Sequence, residues 1–125
     1  MLEVLKDQWC GSNSGPTVLL PSNGFHYTYD LSIAAEILGQ PCAGAPNPVT
    51  GVTINGIALD PAGSYRITTN NFLADGGDDF ATLTQGTNRT TLSDFDIDSL
   101  VRYLATTTPS ARRGPPALDR IDVTE

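Results

Sequence analysis

Apolar positions along the chain fall into short patterned runs separated by glycine-, proline- and asparagine-rich stretches. Gly24-Phe25-His26-Tyr27-Thr28-Tyr29-Asp30 alternates strictly and puts Phe25, Tyr27 and Tyr29 on one face, which predicts a half-buried strand. Gly51-Val52-Thr53-Ile54-Asn55-Gly56-Ile57-Ala58-Leu59 alternates on both sides of Asn-Gly. That dipeptide is the preferred two-residue hairpin turn, because both central residues need positive φ. Thr17-Val18-Leu19-Leu20 predicts a short strand, and so does the β-branched and aromatic run Tyr65-Arg66-Ile67-Thr68-Thr69-Asn70-Asn71-Phe72. Arg120-Ile121-Asp122-Val123 predicts a closing strand.

Helical spacing occurs twice. Leu2, Leu5 and Trp9 share one face at the start, and Ile97, Leu100, Val101 and Leu104 share another, with Asp94 or Asp96 as cap and acids in the first turn. Residues 31–50, rich in Ala, Gly and Pro, read as a long loop with a helical turn at residues 33–38. Helices and strands in this order predict an α+β fold, and 125 residues suffice for one domain spanning 1–125. No Ser, Thr, Asp or Asn precedes the first helix, so Met1 reads as a start on a helix cut short.

Charge narrows the partners. Fourteen acidic against seven basic side chains give a net charge of −7, which repels phosphate backbones and anionic lipid and disfavours a nucleic-acid duplex or a membrane as partner. Two cysteines, Cys10 and Cys42, stand in loop-like surroundings. They would stay free thiols in a reducing cytosol and pair in a secreted protein, and few lysines with many Thr, Asn, Gly and Pro favour secretion. The single histidine, His26, cannot build a zinc or two-metal site by itself.

The stretch with most chemical content is Asn71-Phe72-Leu73-Ala74-Asp75-Gly76-Gly77-Asp78-Asp79-Phe80. Adjacent glycines let backbone approach a ligand, an acid just beyond them suits a vicinal diol such as ribose, and a nearby ring offers a stacking plane for a base. The plainer alternative is a turn with an exposed Asp and a core Phe. Asp94, Asp96 and Asp98 lack the later Gly and Glu of a calcium loop and read as helix-terminal acids; Arg112-Arg113 reads as a solvated loop. Asn88-Arg89-Thr90 is a glycosylation sequon, relevant only in a eukaryotic secretory pathway.

Val52-Thr53-Ile54-Asn55-Gly56, Leu59-Asp60-Pro61, Tyr65-Arg66-Ile67 and Asn71-Phe72-Leu73-Ala74-Asp75-Gly76-Gly77-Asp78 together resemble the C-terminal, substrate-binding domain of the 5'-nucleotidase/UDP-sugar hydrolase family. Leu5-Lys6-Asp7-Gln8-Trp9, the Gly24-to-Asp30 strand and the Asp98-to-Leu104 helix follow in the family's order. The resemblance implies mixed or antiparallel strands with two to three helices, and a nucleotide or nucleoside as ligand. It also implies an upstream catalytic metallophosphatase domain, with two divalent metal ions there and no cofactor in these residues. The parent would be secreted, cell-wall-associated or periplasmic. It implies further that Phe72 stacks on the base and that Asp78, carried by Gly76 and Gly77 beside Asn71, binds ribose hydroxyls.

Two positions depart from the family. Asp79 stands where Gly is usual, and Leu19 stands where a second Phe would complete the base sandwich, leaving a one-sided stack. Two other readings stay open. One is a non-enzymatic secreted module of the same fold. The other is a diguanylate cyclase, whose signature Gly76-Gly77-Asp78-Asp79-Phe80 resembles, although Leu73-Ala74-Asp75 precedes it instead of that family's Arg-aromatic pair.

Overall fold

The computed structural model describes residues 1–12, 14–105 and 117–125. Their elements run α1 (Leu2–Lys6), β1 (Phe25–Asp30), α2 (Leu31–Ile37), β2 (Val49–Ile54), β3 (Ile57–Ala58), α3 (Asn71–Ala74), tight turns at Gly77–Asp79 and Ala81–Gln85, α4 (Asp96–Ala105) and β4 (Ile121–Thr124). The chain divides into two compact units, residues 1–86 with 118–125, and residues 87–117.

In the first unit the aromatic alternation of β1 organises a four-stranded mixed sheet of order β3-β2-β1-β4. β1 pairs antiparallel with β2, Tyr27 opposite Val52, and parallel with β4, Tyr27 opposite Ile121. The β2–β3 hairpin turns at Asn55 (φ 52°) and Gly56 (φ 78°), both left-handed as the Asn-Gly signal demands. Tyr27 is buried, and Phe25 and Tyr29 pack beside it against Leu5, Trp9, Ala34, Ile37 and Val52. Trp9 and Tyr29 stack with ring centroids 4.7 Å apart, which fixes the end of α1 on the sheet. The fold is α+β, with four α-helices among the described residues.

Three local expectations fail for identifiable reasons. Residues 17–20 form no strand. The Thr17 N–H donates to the Gln8 carbonyl at 2.8 Å and the Leu19 N–H to Gln8 Oε1 at 2.8 Å, so the buried turn after α1 replaces a strand partner. Residues 65–70 form no strand either. Tyr65 folds back instead, its hydroxyl accepting the Asp60 N–H at 2.8 Å and closing the turn over Gly63. Asn70 then caps α3, its Oδ1 accepting the Leu73 N–H at 2.9 Å, and capping overrides the strand preference of the preceding residues.

The third departure is α2, two helical turns where a loop with one turn was expected. Asp30 is its cap: Oδ1 accepts from the Ser32 hydroxyl (2.6 Å), the Ser32 N–H (2.9 Å) and the Ile33 N–H (3.1 Å). The Ser32 hydroxyl first, then the Ile33 and Ser32 amides, hold this carboxyl below its ordinary range. A folded value below the unfolded one contributes stability that is fully present above the ordinary carboxylate range and fades as pH falls through the lowered value. Asp30→Asn is therefore expected to melt below wild type at neutral pH, with the gap narrowing as pH falls below the ordinary carboxylate range. A gap that persists unchanged at low pH would assign the cap to neutral hydrogen bonding alone.

In the second unit, α4 carries acids at its start, and Arg102 pairs with Asp94 at 3.2 Å. Ile97, Leu100, Val101 and Leu104 share a face and are each about half exposed. Asn88 of the sequon is exposed, at φ 55°. Arg112 and Arg113 lie outside the described residues. No described helix is long and apolar enough to cross a membrane.

Candidate functional site

The segment from Asn70 to Phe80 is a capped helical turn followed by a left-handed one. After α3 the chain reverses at Gly76 (φ 88°), and Asp78 (φ 52°) and Asp79 (φ 65°) are also left-handed. The Gly77–Asp79 turn is thus not a continuous right-handed helix. Placing side chains at two consecutive left-handed positions costs about 1–2 kcal/mol each, least for Asp and Asn. Such positions persist only where the surroundings fix them.

Phe72 lies across this turn. A Cβ added at Gly77 would come within 2.5 Å of Phe72 Cε1 and Cζ, so the ring rests on the bare glycine backbone. Its other surface is open, and Phe72 is 59% exposed. Phe80, two residues beyond Asp78, is 0% exposed. The segment's two phenylalanines thus divide the roles that sequence reasoning weighed for one: Phe80 is core, and Phe72 is a ring on the surface.

The structure brings Phe72, Gly77 and Asp78 together on one short stretch. Asn71 opens α3, exposed, with its carbonyl accepting the Asp75 N–H at 2.9 Å. Leu19 is half-buried and sits on the segment held by Gln8, whose carboxamide is itself buried and shared with the Tyr27 hydroxyl at 3.2 Å. Burial pushes the Tyr27 phenol up.

Asp79 has a specific contact that the sequence did not signal. Oδ2 accepts the Ser12 N–H at 2.7 Å and the Ser12 hydroxyl at 2.8 Å. Gly11 (φ 104°) makes the approach feasible, since a Cβ there would lie 2.7 Å from Asp79 Cβ. Gly11 is anchored in turn by its N–H to the Gln40 carbonyl at 2.7 Å and by the neighbouring Cys10–Cys42 disulfide, whose Cα atoms are 5.0 Å apart. On the other side of Phe80, Asp7 Oδ2 accepts the Thr82 N–H at 3.0 Å and ties α1 to the Ala81–Gln85 turn. The two partners, Ser12 and Asp79, lie 67 positions apart, so no local pattern marks them.

A groove of about 500 Å³ on the sheet is lined by residues including Leu2, His26, Thr28, Thr53, Leu59 and Asp122, and none of Leu19, Asn71, Phe72 or Asp78 lines it. His26 Nδ1 lies 2.7 Å from the Asp119 carbonyl, a local bond at the β4 edge. As for metals, Asp7, Cys10 and Cys42 bring three donor atoms within 4.8 Å, but both sulfurs are spent in the disulfide. The described residues do not fit a two-metal phosphoesterase centre.

The sequence model of the family described as "5'-nucleotidase, C-terminal domain" matches residues 1–85. The matched stretch includes both cysteines, Leu19 and the whole Asn71–Phe80 segment, and ends before α4 and β4. No curated protein and no solved structure matches the chain. With more than half of its length under that match and an α+β fold in keeping with it, the chain belongs to the 5'-nucleotidase C-terminal domain family.

Proposed function

We propose that this domain holds the nucleoside part of a nucleotide for a secreted or periplasmic, metal-dependent 5'-nucleotidase-type phosphoesterase. Phe72 is the stacking platform for the base and Asp78 the acceptor for the ribose hydroxyls. Asn71, Gly76 and Gly77 shape the approach, and Leu19 takes the place of a second ring. Hydrolysis belongs to a metallophosphatase domain with two divalent ions, so these residues by themselves bind without turning over substrate. The observation that carries the reading is the Phe72 ring, exposed on one face, braced by the Gly77 backbone on the other, and adjacent to the left-handed Asp78. A surface phenylalanine already held against glycine backbone loses little entropy on stacking.

The cyclase alternative fits this geometry less well, because Asp79 is turned onto Ser12 and Phe80 is wholly buried. The non-enzymatic alternative is decided by binding. In calorimetric titration of adenosine into the 125-residue chain, Phe72→Ala is expected to weaken affinity by about 1–3 kcal/mol, the usual worth of a base–aromatic stack. Its melting temperature should stay close to wild type. No saturable binding by the wild-type chain, or equal affinity in the variant, would remove the nucleoside reading.

A further inference from the structure

We propose that Ser12 and Asp79 form a positioning pair that fixes the left-handed turn carrying Asp78 and so sets the ribose selectivity of the site, an inference that rests on the nucleoside reading of Phe72 and Asp78. Three observations converge on the pair. Asp78 and Asp79 are consecutive residues in the left-handed region, a conformation that side-chain-bearing residues hold only when something outside the turn imposes it. The Asp79 carboxylate accepts two hydrogen bonds from a single distant residue, one from its backbone and one from its hydroxyl, at 2.7 and 2.8 Å. The backbone approach that makes these bonds is open only because Gly11 lacks a Cβ at the point nearest Asp79.

The donor side is itself held. Cys10 is bonded to Cys42, and the Gly11 N–H is bonded to the Gln40 carbonyl, so Ser12 follows two residues fixed to the loop after α2. Asp79 therefore meets a donor that is anchored to the disulfide rather than a wandering loop. The charge argument runs the same way. Two adjacent carboxylates beside a diol would repel each other and compete for its hydroxyls. The Ser12 N–H and hydroxyl engage Asp79 Oδ2, which takes one of the two carboxylates out of that competition. Neither Ser12 nor Asp79 needs to touch ligand in this arrangement; they act through the backbone of Asp78.

The test compares affinities for adenosine and 2'-deoxyadenosine in wild type, Ser12→Ala, Ser12→Thr, Asp79→Ala and Asp79→Asn, with Asp78→Asn as the reference for a lost sugar contact. Ser12→Ala and Asp79→Ala should weaken adenosine by roughly 3- to 10-fold, the range of one or two ordinary hydrogen bonds, and deoxyadenosine by less. The ratio should move toward that of Asp78→Asn. Asp79→Asn keeps an acceptor oxygen and should fall between, and Ser12→Thr, which keeps both donors, should restore the wild-type ratio.

A second readout needs no ligand: in Asp79→Ala the Ser12 amide should exchange with solvent faster than in wild type. Binding that depends on Phe72 and Asp78 with an unchanged sugar ratio in Ser12→Ala and Asp79→Ala overturns the positioning pair alone. Unchanged exchange at the Ser12 amide does the same, even if an alanine variant folds poorly. A wild-type chain that binds neither nucleoside overturns the pair together with the nucleoside reading.

Discussion

Phe80→Ala is expected to cost about 3–5 kcal/mol of folding stability, the range for removing a fully buried phenylalanine. The upper half of that range applies if the surroundings cannot collapse into the space left behind, and here they are held from several sides. The Phe80 N–H donates to the Gly77 carbonyl at 3.1 Å, and its own carbonyl accepts the Leu83 N–H at 3.0 Å. The Ala81–Gln85 turn packs on α1 and α3 and is tied to Asp7 through the Thr82 N–H. Phe72→Ala, by contrast, removes a ring that is more than half exposed, and is expected to change stability by about 0.5 kcal/mol or less. Urea denaturation of the two variants and wild type measures both. Equal losses would mean that the two rings share one packed cluster, and Phe72 would no longer qualify as a free stacking surface.

The contrast between these rings shows where the sequence was legible. Elements whose signal is local were readable: the Phe25, Tyr27, Tyr29 alternation became β1, and Asn55-Gly56 became the hairpin turn because only two residues decide it. The spacing of Ile97, Leu100, Val101 and Leu104 became α4. Strand propensity without a partner misled. Residues 17–20 and 65–70 have strand-like side chains, but a strand exists only when another offers its hydrogen bonds, and here Gln8 and Asp60 supply the partners instead. Two caps were legible in principle. Asp30-x-Ser32 and Asn70 each precede a helix, yet each also ends an apolar alternating run, and the period of the run outweighed the single polar residue.

The candidate site divides in the same way. The Gly76-Gly77-Asp78 run and Phe72 stand close in sequence and could be read together. Their geometry could not, because the feature holding the turn is Ser12, brought in by the disulfide and by a glycine that looks like any loop glycine. Likewise nothing beside Asp79 in the sequence signals that its carboxylate meets Ser12. A pairwise contact across 67 positions leaves no mark in spacing or periodicity, so sequence reasoning finds residues clustered along the chain more readily than residues joined across it.

Replacing both Cys10 and Cys42 by Ala is expected to lower stability by about 3–4 kcal/mol, the loop-entropy value for a cross-link spanning 32 positions. The bond closes the loop that contains Leu19, β1 and α2, so the unfolded chain loses much of its freedom when it is intact. In the folded chain Cys10 is almost fully buried beside Trp9 and Ile37, and Cys42 packs against the same core. Alanines there remove some packing but leave no unpaired polar group, which keeps the loss near the entropic figure rather than far above it. Because most of the effect acts on the unfolded state, the far-ultraviolet circular dichroism of the folded double variant should match wild type. The measurement is urea denaturation of wild type, reduced wild type and the double variant, with free thiols counted under denaturing conditions. Reduced wild type and the variant should agree within about 1 kcal/mol, since both lack the same cross-link. Two titratable thiols in oxidatively refolded wild type, or a variant as stable as the oxidised protein, would show that the pair does not cross-link the folded chain.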